Sequence, residues 1–370
     1  MDGFDVYDDW EDMEAAGWDM SGAYLYTQIT SGRWPGGNSV RLYHSASVNA
    51  KISTTASGNE FGIQSAFKVE QRQTENFISV SNDGGVCFRL VLVSNGTLYL
   101  YDSNNSLVAQ SSVWPSILDN TWHYLEVWAT IDNSGHALVK VDGVTVLDED
   151  LDTQNGTTNV DAVQIYSASD VSDKGTCWDD IVLMDAAGTR LNALIGDSRI
   201  DTLVPDADTA QEDFTCSSGS DSFALLDDTI PGDHDGDTSF IYSTTAGHKT
   251  RCELEAVSIA ALAVHAIALV SVMKMTTGGH TVVAHGTIRS NGTDEDGTSR
   301  TLTVSYVPYR DIWELDPDGD VAWTEASVSA LEVGVGLVST TGAPVRVTRS
   351  CVEVLRATNA QQAIQIFMIT

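Results

Sequence analysis

The sequence predicts an all-β protein with two β-sandwich, jelly-roll-like domains in tandem and one short helix in the second domain. Many short runs alternate apolar residues with others, and polar turn residues separate these runs, as in antiparallel sandwiches. Asp-Gly and Asn-Gly pairs join several of the runs, as in two-residue hairpins. A chain of 370 residues also exceeds the usual size of one hydrophobic core. We therefore place the domains at 1–190 and 191–370.

The clearest pattern lies between Trp122 and Thr153. Apolar residues alternate with others before and after the polar turn at 132–135, and Asp142-Gly143 then reverses the chain between β-branched residues. This stretch predicts three adjacent antiparallel strands.

The rest of the first domain follows from the same signals. The acidic segment from Met1 to Asp19 carries apolar residues, which predict either an edge strand of the sandwich or an arm that docks on a neighbouring molecule. Other alternating runs predict strands at 39–44, 61–70, 76–81, 86–93, 97–102, 107–110 and 178–183.

In the second domain, the composition of 201–237 predicts a long loop. The apolar run 258–275 approaches the length of a membrane span, but His265 interrupts it and a Gly-Gly turn follows, so it predicts a buried central strand. Thr324 is a good N-cap for a helix over 324–331. Further strands are predicted at 281–288, 300–306, 334–338 and 345–356, and a loop at 291–297.

Charge restricts the class of partner. Lys and Arg number 19 against 52 Asp and Glu, so the net charge is −33. Nucleic acids and anionic membranes need cationic contacts, so neither is an expected partner. The N-terminus lacks the basic and apolar regions of a secretory signal, which predicts synthesis in a cytoplasm. Five scattered cysteines predict neither a disulfide framework nor a zinc site, although a Cys216–Cys252 pair stays open.

The strand that begins at Trp122-His123, with the Val141-Asp142-Gly143-Val144 turn after it, resembles laminin-G-like, concanavalin A-like jelly rolls. Trp178-Asp179-Asp180-Ile181 resembles the closing strand of that fold. The segments 194–200, 312–317 and 322–325 are similar to parts of tailed-bacteriophage virion proteins that carry this jelly roll. The resemblance implies a virion structural protein. It says little about chemistry, because this sandwich hosts enzymes, lectins and inert shell parts.

Patterns for catalysis are missing from the sequence. A glycosidase needs two carboxylates that face each other, and the acidic run 148–152 sends adjacent side chains to opposite faces of a strand. Nucleophile elbows, phosphate loops and zinc-protease motifs are also absent from the sequence. These observations predict a protein that is not an enzyme and has no cofactor.

Calcium is the one ion that the sequence suggests. Two runs place carboxylates around a Gly turn, as hard oxygen ligands for calcium require. Neither run continues to the glutamate that closes a helix–loop–helix site, so the alternative is an ordinary solvated turn. The candidate ligands are Asp233, Asp235 and Asp237 in the first run and Asp316, Asp318 and Asp320 in the second.

A carbohydrate site needs exposed aromatic rings close to amide and carboxylate groups. Trp34, Tyr101 and Trp114 lie beside Gly, Asn or Pro turns and are candidates for such a platform. The alternative for tryptophans in a sandwich is a place in the core or in a subunit contact.

The apolar C-terminal tail predicts insertion under a neighbouring subunit. Its candidate interface residues are Ile364, Ile366, Phe367, Met368 and Ile369. Together with the resemblance, the tail predicts a non-enzymatic protein on the surface of a tailed-phage virion, as a capsid decoration or tail-associated component. Its expected partners are other capsid or tail proteins and further copies of itself, with a trimer as our guess. The competing hypothesis is a receptor-recognition lectin that binds cell-surface glycan.

Overall fold

The computed structural model is almost entirely β, as predicted, and it divides into two compact units, residues 1–197 and 198–370. It describes residues 1–20, 26–43, 49–54, 58–112, 120–167, 173–228, 230, 234–256 and 263–358. Each unit contains two sheets. No described helix is long and apolar enough to cross a membrane.

The first unit contains one helix and fourteen strands among its described residues. They are α1 (Trp10–Ala15), β1 (Trp18–Asp19), β2 (Thr27–Ser31), β3 (Asn38–Tyr43), β4 (Asn49–Ser53), β5 (Glu60–Val69), β6 (Glu75–Asn82), β7 (Gly85–Leu92), β8 (Leu98–Tyr101), β9 (Leu107–Gln110), β10 (Trp122–Thr130), β11 (Gly135–Val141), β12 (Val144–Leu151), β13 (Ala162–Tyr166) and β14 (Gly175–Asp185). The three strands predicted between Trp122 and Thr153 are confirmed as β10, β11 and β12.

These strands form two seven-stranded antiparallel sheets. Sheet I has the order β1-β4-β13-β6-β7-β8-β9, and sheet II has the order β12-β11-β10-β5-β14-β3-β2. Aromatic rings from both sheets meet in the core: the centroid of Phe77, on sheet I, lies 4.9 Å from that of Phe67 and 4.7 Å from that of Trp178, both on sheet II. Such ring pairs stabilise the core beyond the area that they bury.

The N-terminal segment folds onto its own unit. Its strand β1 pairs with β4 at the edge of sheet I. Of the two predicted alternatives, this is the edge strand of the sandwich. Phe4 and Tyr7 are fully buried. The Oδ2 atom of Asp2 accepts hydrogen bonds from Tyr7 Oη (2.8 Å) and Trp18 Nε1 (3.0 Å). The helix α1 was not predicted; Asp9 caps it by accepting from the backbone N–H groups of residues 11 and 12.

The second unit contains twelve strands, one 3₁₀ helix (Phe223–Leu225) and one short α-helix among its described residues. They are β15 (Ser198–Leu203), β16 (Pro205–Glu212), β17 (Thr215–Cys216), β18 (Ile241–Ser243), β19 (Lys249–Leu254), β20 (Val264–Met275), β21 (Val282–Ser290), β22 (Thr293–Asp296), β23 (Arg300–Thr301), β24 (Val307–Trp313), α2 (Glu325–Ser329), β25 (Glu332–Thr340) and β26 (Val345–Ala357). Sheet III has the order β17-β18-β26-β20-β24, with β15 also paired to β26. Sheet IV has the order β16-β19-β25-β21-β22, with β23 also paired to β21.

Several predictions for the second unit are confirmed. The apolar run contributes β20, which lies between β26 and β24, and its residues from Val264 to Met273 are buried. Residues 258–262 of that run lie outside the described residues. Thr324 caps α2 in a capping box with Ser327.

Other predictions for this unit are wrong. The predicted loop 201–237 begins with paired strands, because β15 bonds to β26 and β16 bonds to β19. The strand expected at 300–306 is confined to the two residues of β23, and β24 follows it. The loop expected at 291–297 contains β22. Cys216 and Cys252 are free thiols, as are the other three cysteines.

Candidate functional site: the outer face of sheet I

Alternation along the strands of sheet I separates a buried face from an outer face. On β7, Phe88 and Leu90 are fully buried, and Arg89 between them is half-buried. On β8, Leu98 and Leu100 are buried, and Tyr99 and Tyr101 are half-buried. Because neighbouring side chains of a strand point to opposite sides, Arg89 and both tyrosines project from the face opposite the core.

Cross-strand pairing places six polar side chains and Leu107 in one row over the whole width of this face. From β1 to β9 the neighbours in that row are Asp19, Lys51, Gln164, Ser79, Arg89, Tyr101 and Leu107. A second row begins with Asn49 and Tyr166 and resumes, beyond a bulge in β6, with Asn76, Val91, Tyr99 and Gln110. We call the outer-face side chains Lys51, Gln164, Tyr166, Ser79, Arg89, Tyr99 and Tyr101 the tyrosine face.

Hydrogen bonds fix the middle of the tyrosine face. The Oε1 atom of Gln164 accepts from Ser79 Oγ and from Tyr166 Oη, each at 3.1 Å. The Nε2 atom of Gln164 donates to Asn49 Oδ1 at 3.3 Å. Gln164 and Tyr166 are half-buried, so both are held in place and still reach the surface. A preorganised amide and phenol can bind the hydroxyl groups of a ligand at little entropic cost.

Arg89 has no carboxylate partner among the described residues. Its guanidinium lies 4.6 Å from the centroid of the Tyr101 ring, in a cation–π contact. Its Nε atom is shielded from solvent and has no hydrogen-bond acceptor among the described residues. By contrast, Arg33 and Arg41 each bind a carboxylate through two nitrogen atoms, with Asp197 and Glu70 as their partners.

The outer face of sheet II is covered instead by the chain itself. The side chain of Gln64 is fully buried there, donates to the backbone oxygen of Gly196 (3.2 Å) and accepts from the backbone N–H of Ile195 (3.1 Å). Gln64 also donates to Glu126 Oε1 at 3.1 Å, and burial raises the pKa of Glu126. Asp197 is bound by Arg33 beside them. Residues 191–197, predicted to belong to the second domain, therefore belong by these contacts to the first unit.

The structure separates the predicted carbohydrate residues. Tyr101 lies on the tyrosine face of sheet I. Trp34 lies in the turn between β2 and β3 of sheet II, where its indole N–H donates to Asp180 Oδ2 at 3.1 Å and Arg33 stacks on the ring at 4.7 Å. Trp114 lies outside the described residues. Trp34 and Tyr101 therefore do not form one platform.

In the first predicted calcium run, two of the three carboxylates are engaged by side chains. Asp237 binds Lys274 Nζ (2.7 Å) and Arg346 Nη1 (2.8 Å), and these contacts, the one to Lys274 foremost, lower the pKa of Asp237 to about 2. Asp235 accepts hydrogen bonds from Ser239 and Thr348. Asp233 lies outside the described residues.

The second predicted calcium run forms a local turn. Asp316 Oδ1 accepts from the backbone N–H of Asp318 (2.9 Å), and Asp318 Oδ2 accepts from Asn291 Nδ2 (2.8 Å). Asp320 has a positive φ of 53° beside Gly319. Within the described parts of the chain, no three His, Cys, Asp or Glu side chains are grouped as metal ligands would be. The predicted interface residues Ile364, Ile366, Phe367, Met368 and Ile369 lie outside the described residues.

Most residues of the tyrosine face were not singled out from the sequence. Lys51, Arg89, Gln164 and Tyr166 occur in ordinary alternating strands, and only Tyr101 was a candidate. A partial signal was present, because Gln164 and Tyr166 alternate with apolar residues in 163–166 and Arg89 interrupts the apolar run 86–92. The pairing of those two segments with β6 from opposite sides could not be read from either segment alone.

Comparison with protein-family models gives no match, and comparison with curated proteins gives none either. Among solved structures, the chain is similar to alginate lyase Aly36B in complex with an alginate tetrasaccharide, at 12% identity and a TM-score of 0.33 over 47% of this chain and 88% of that one. It is similar to an endo-β-1,4-glucuronan lyase from the fungus Trichoderma reesei, at 14% identity and a TM-score of 0.33 over 42% and 85%. It is also similar to the galectin LEC-6 of Caenorhabditis elegans, at 12% identity and a TM-score of 0.29 over 36% and 89%.

These likenesses concern the β-sandwich alone, and they contradict the prediction that the chain is not an enzyme. That prediction depended on the missing pair of glycosidase carboxylates, which hydrolysis of a glycosidic bond requires. Two of the similar structures are lyases. The missing pair of carboxylates counts only against hydrolysis by the glycosidase route, and it does not exclude an enzyme.

Proposed function

We propose that the first unit binds polysaccharide on the tyrosine face of sheet I. The observation that carries the proposal is the half-buried pair of Arg89 and Tyr101, a cation that is stacked on an aromatic ring and that no described carboxylate neutralises. Tyr101 offers a flat ring to the apolar side of a sugar, and Arg89 offers hydrogen-bond donors to its oxygen atoms.

The groups around this pair suit a glycan. Gln164 and Tyr166 present an amide and a phenol that are held by hydrogen bonds and reach the surface. Tyr99 lies in the next row of the same face. Sugar recognition depends on such a combination of rings with hydrogen-bond donors and acceptors. The outer face of sheet II offers less, because the chain segment at 195–196 already occupies Gln64.

Binding of the full chain to a panel of soluble polysaccharides tests the proposal. For the polymer that binds best, Tyr101→Ala should lower the affinity about tenfold, which is roughly 1.4 kcal/mol and typical of an aromatic hot spot. Tyr99→Ala should weaken binding as well.

The matched control is Lys68→Ala. Lys68 is also a cation stacked on an aromatic ring, 4.9 Å from the centroid of Trp122, but it lies on sheet II. Its loss should leave binding unchanged. A panel without any binding polymer, or variants on sheet I that bind as well as the parent chain, would contradict the proposal.

The same mixtures are analysed for shortening of the polymer, and Tyr166→Phe is the first variant to test if shortening is found.

A place on the surface of a tailed-phage particle, among capsid or tail proteins and as a homo-oligomer, stays a prediction from the resemblance. A polysaccharide-binding face would serve such a particle by attaching it to the surface glycan of a host cell. Antibody labelling of intact particles in the electron microscope tests that location.

A further inference from the structure

We propose that the polysaccharide bound by the tyrosine face is acidic and carries carboxylates on its sugar units. This inference rests on the proposed function, and it names the class of glycan that this face selects. The argument starts from the two cations of the main polar row, Lys51 on β4 and Arg89 on β7.

Neither cation is neutralised by the part of the chain that the structure describes. Among the described residues, no carboxylate forms an ion pair with Arg89 or with Lys51, whereas Arg33 and Arg41 are both paired. The one carboxylate in the two polar rows is Asp19, an exposed residue on the edge strand β1. A chain with 52 Asp and Glu residues thus keeps acidic side chains away from the middle of this face.

The guanidinium of Arg89 fits the same ligand. Arg89 is half-buried and its Nε atom is shielded, so a ligand must approach the Nη atoms. A carboxylate can accept from both Nη atoms together, which is a two-pronged geometry that arginine offers to carboxylates. A neutral hydroxyl would satisfy only one of these donors.

The separation of the two cations indicates a polymer. Strands β13 and β6 lie between β4 and β7, so the backbones at Lys51 and Arg89 are about 14 Å apart at the usual strand spacing. One carboxylate cannot contact both cations across that distance. Gln164 and Ser79 occupy the row between them and can bind the hydroxyl groups of the sugars that join two acidic units.

The net charge of the chain makes this selection depend on local contact. At −33 the protein repels polyanions at long range, so non-specific attraction does not hold an acidic polymer on it. Selection for acid must come from Lys51 and Arg89 themselves. Loss of either cation should therefore remove the preference for acidic polymer, and not only weaken the binding.

The test uses the full chain with polygalacturonate and hyaluronan, each compared with its carboxyl-reduced derivative, which is the same polymer without the charge. The acidic form of at least one polymer should bind at least tenfold more tightly than its reduced form. Arg89→Gln and Lys51→Gln should each bring that ratio close to one. Arg89→Lys should keep part of it, which separates loss of charge from loss of folding, and Lys68→Gln on sheet II should leave it unchanged.

Each other outcome is decisive. Equal binding of the acidic and reduced forms, tighter binding of a reduced form, or a ratio that survives both Gln variants overturns the acidic selection and leaves polysaccharide binding standing. Absence of binding to all four polymers, together with absence of binding across the wider panel, overturns both the inference and the proposed function.

Discussion

At the scale of single residues, burial decides what the carboxylates of this acidic chain do. Asp237 is exposed and paired with two cations, which keep its pKa near 2. Asp228 is largely buried, and burial, reinforced by the charges of Asp235 and Asp227, raises its pKa to about 6. Sequence alone could not separate these two residues, because both occur in the same acidic stretch of polar residues.

The raised pKa of Asp228 predicts a pH-dependent gain in stability for Asp228→Asn. The fully buried Arg349 lies 4.0 Å from this carboxylate and lowers its pKa, but burial outweighs that attraction. Above pH 6 the folded chain must still bury the ionised carboxylate, so the substitution should stabilise it by about 1–2 kcal/mol, less than the full pKa shift implies because the site is partly solvated and Arg349 loses this contact. As the pH falls from 6 towards 4 the native state takes up the proton first, and the advantage disappears. Denaturant unfolding at pH 7.5 and pH 4 measures this effect.

The exposed Asp206→Asn is the control for that substitution, and it should change the free energy of unfolding little at either pH. A gain for Asp228→Asn that persists at pH 4, or no gain at pH 7.5, would show that the carboxylate is not buried in its ionised form.

At the scale of elements, turn chemistry was the most reliable signal. Asp142-Gly143 and Asn291-Gly292 both have positive φ at the two residues, as the two-residue hairpin turn requires. Edge strands were the main failure. The strand β16 is mostly polar and has one buried residue, so its composition is that of a loop, and only its pairing with β19 makes it a strand. The residues of β16 alone do not indicate that pairing.

Among the described glycines of sheet IV, Gly334 on β25 has the least room for a side chain, because the neighbouring strand lies close to it. A Cβ atom there would lie 1.8 Å from the backbone oxygen of Thr250 on β19. We expect Gly334→Ala to force the two strands apart and to destabilise the second unit by about 3 kcal/mol or more. Gly278→Ala is the control, because the nearest atom to its Cβ would be 3.9 Å away. Thermal unfolding measures both, and equal melting temperatures would refute the steric argument.

At the scale of the whole molecule, the sequence predicted two sandwiches but not which strands would share a face. The hydrogen bond between Ser79 and Gln164 joins residues 85 positions apart, and it places β13 beside β6 in sheet I. The tyrosine face exists only because of that long-range pairing. The sequence therefore indicated Tyr101 but not the cations and amides around it.

Contacts of residues 191–197 with the first unit predict that a fragment ending at 197 is more stable than one ending at 190. The shorter fragment lacks Asp197, which binds both Nη atoms of Arg33 at 2.6 Å, and it leaves the buried Gln64 without its partners at 195 and 196. Arg33 keeps Asp180 at 3.9 Å but loses both short contacts with Asp197, which should cost roughly 2 kcal/mol, so the melting temperature of fragment 1–190 should be about 5 °C lower. Similar melting temperatures would show that the segment is only a linker.

The central claim is that polysaccharide binds to sheet I of the first unit. Hydroxyl-radical footprinting of the full chain, with and without the polymer that it binds best, tests this claim most directly because it reports the contacted face residue by residue. We predict that Tyr99, Tyr101 and Tyr166 lose labelling on binding, whereas Trp122 and Trp128 on sheet II do not. Protection of the sheet II tryptophans, with unchanged labelling of the three tyrosines, would contradict it.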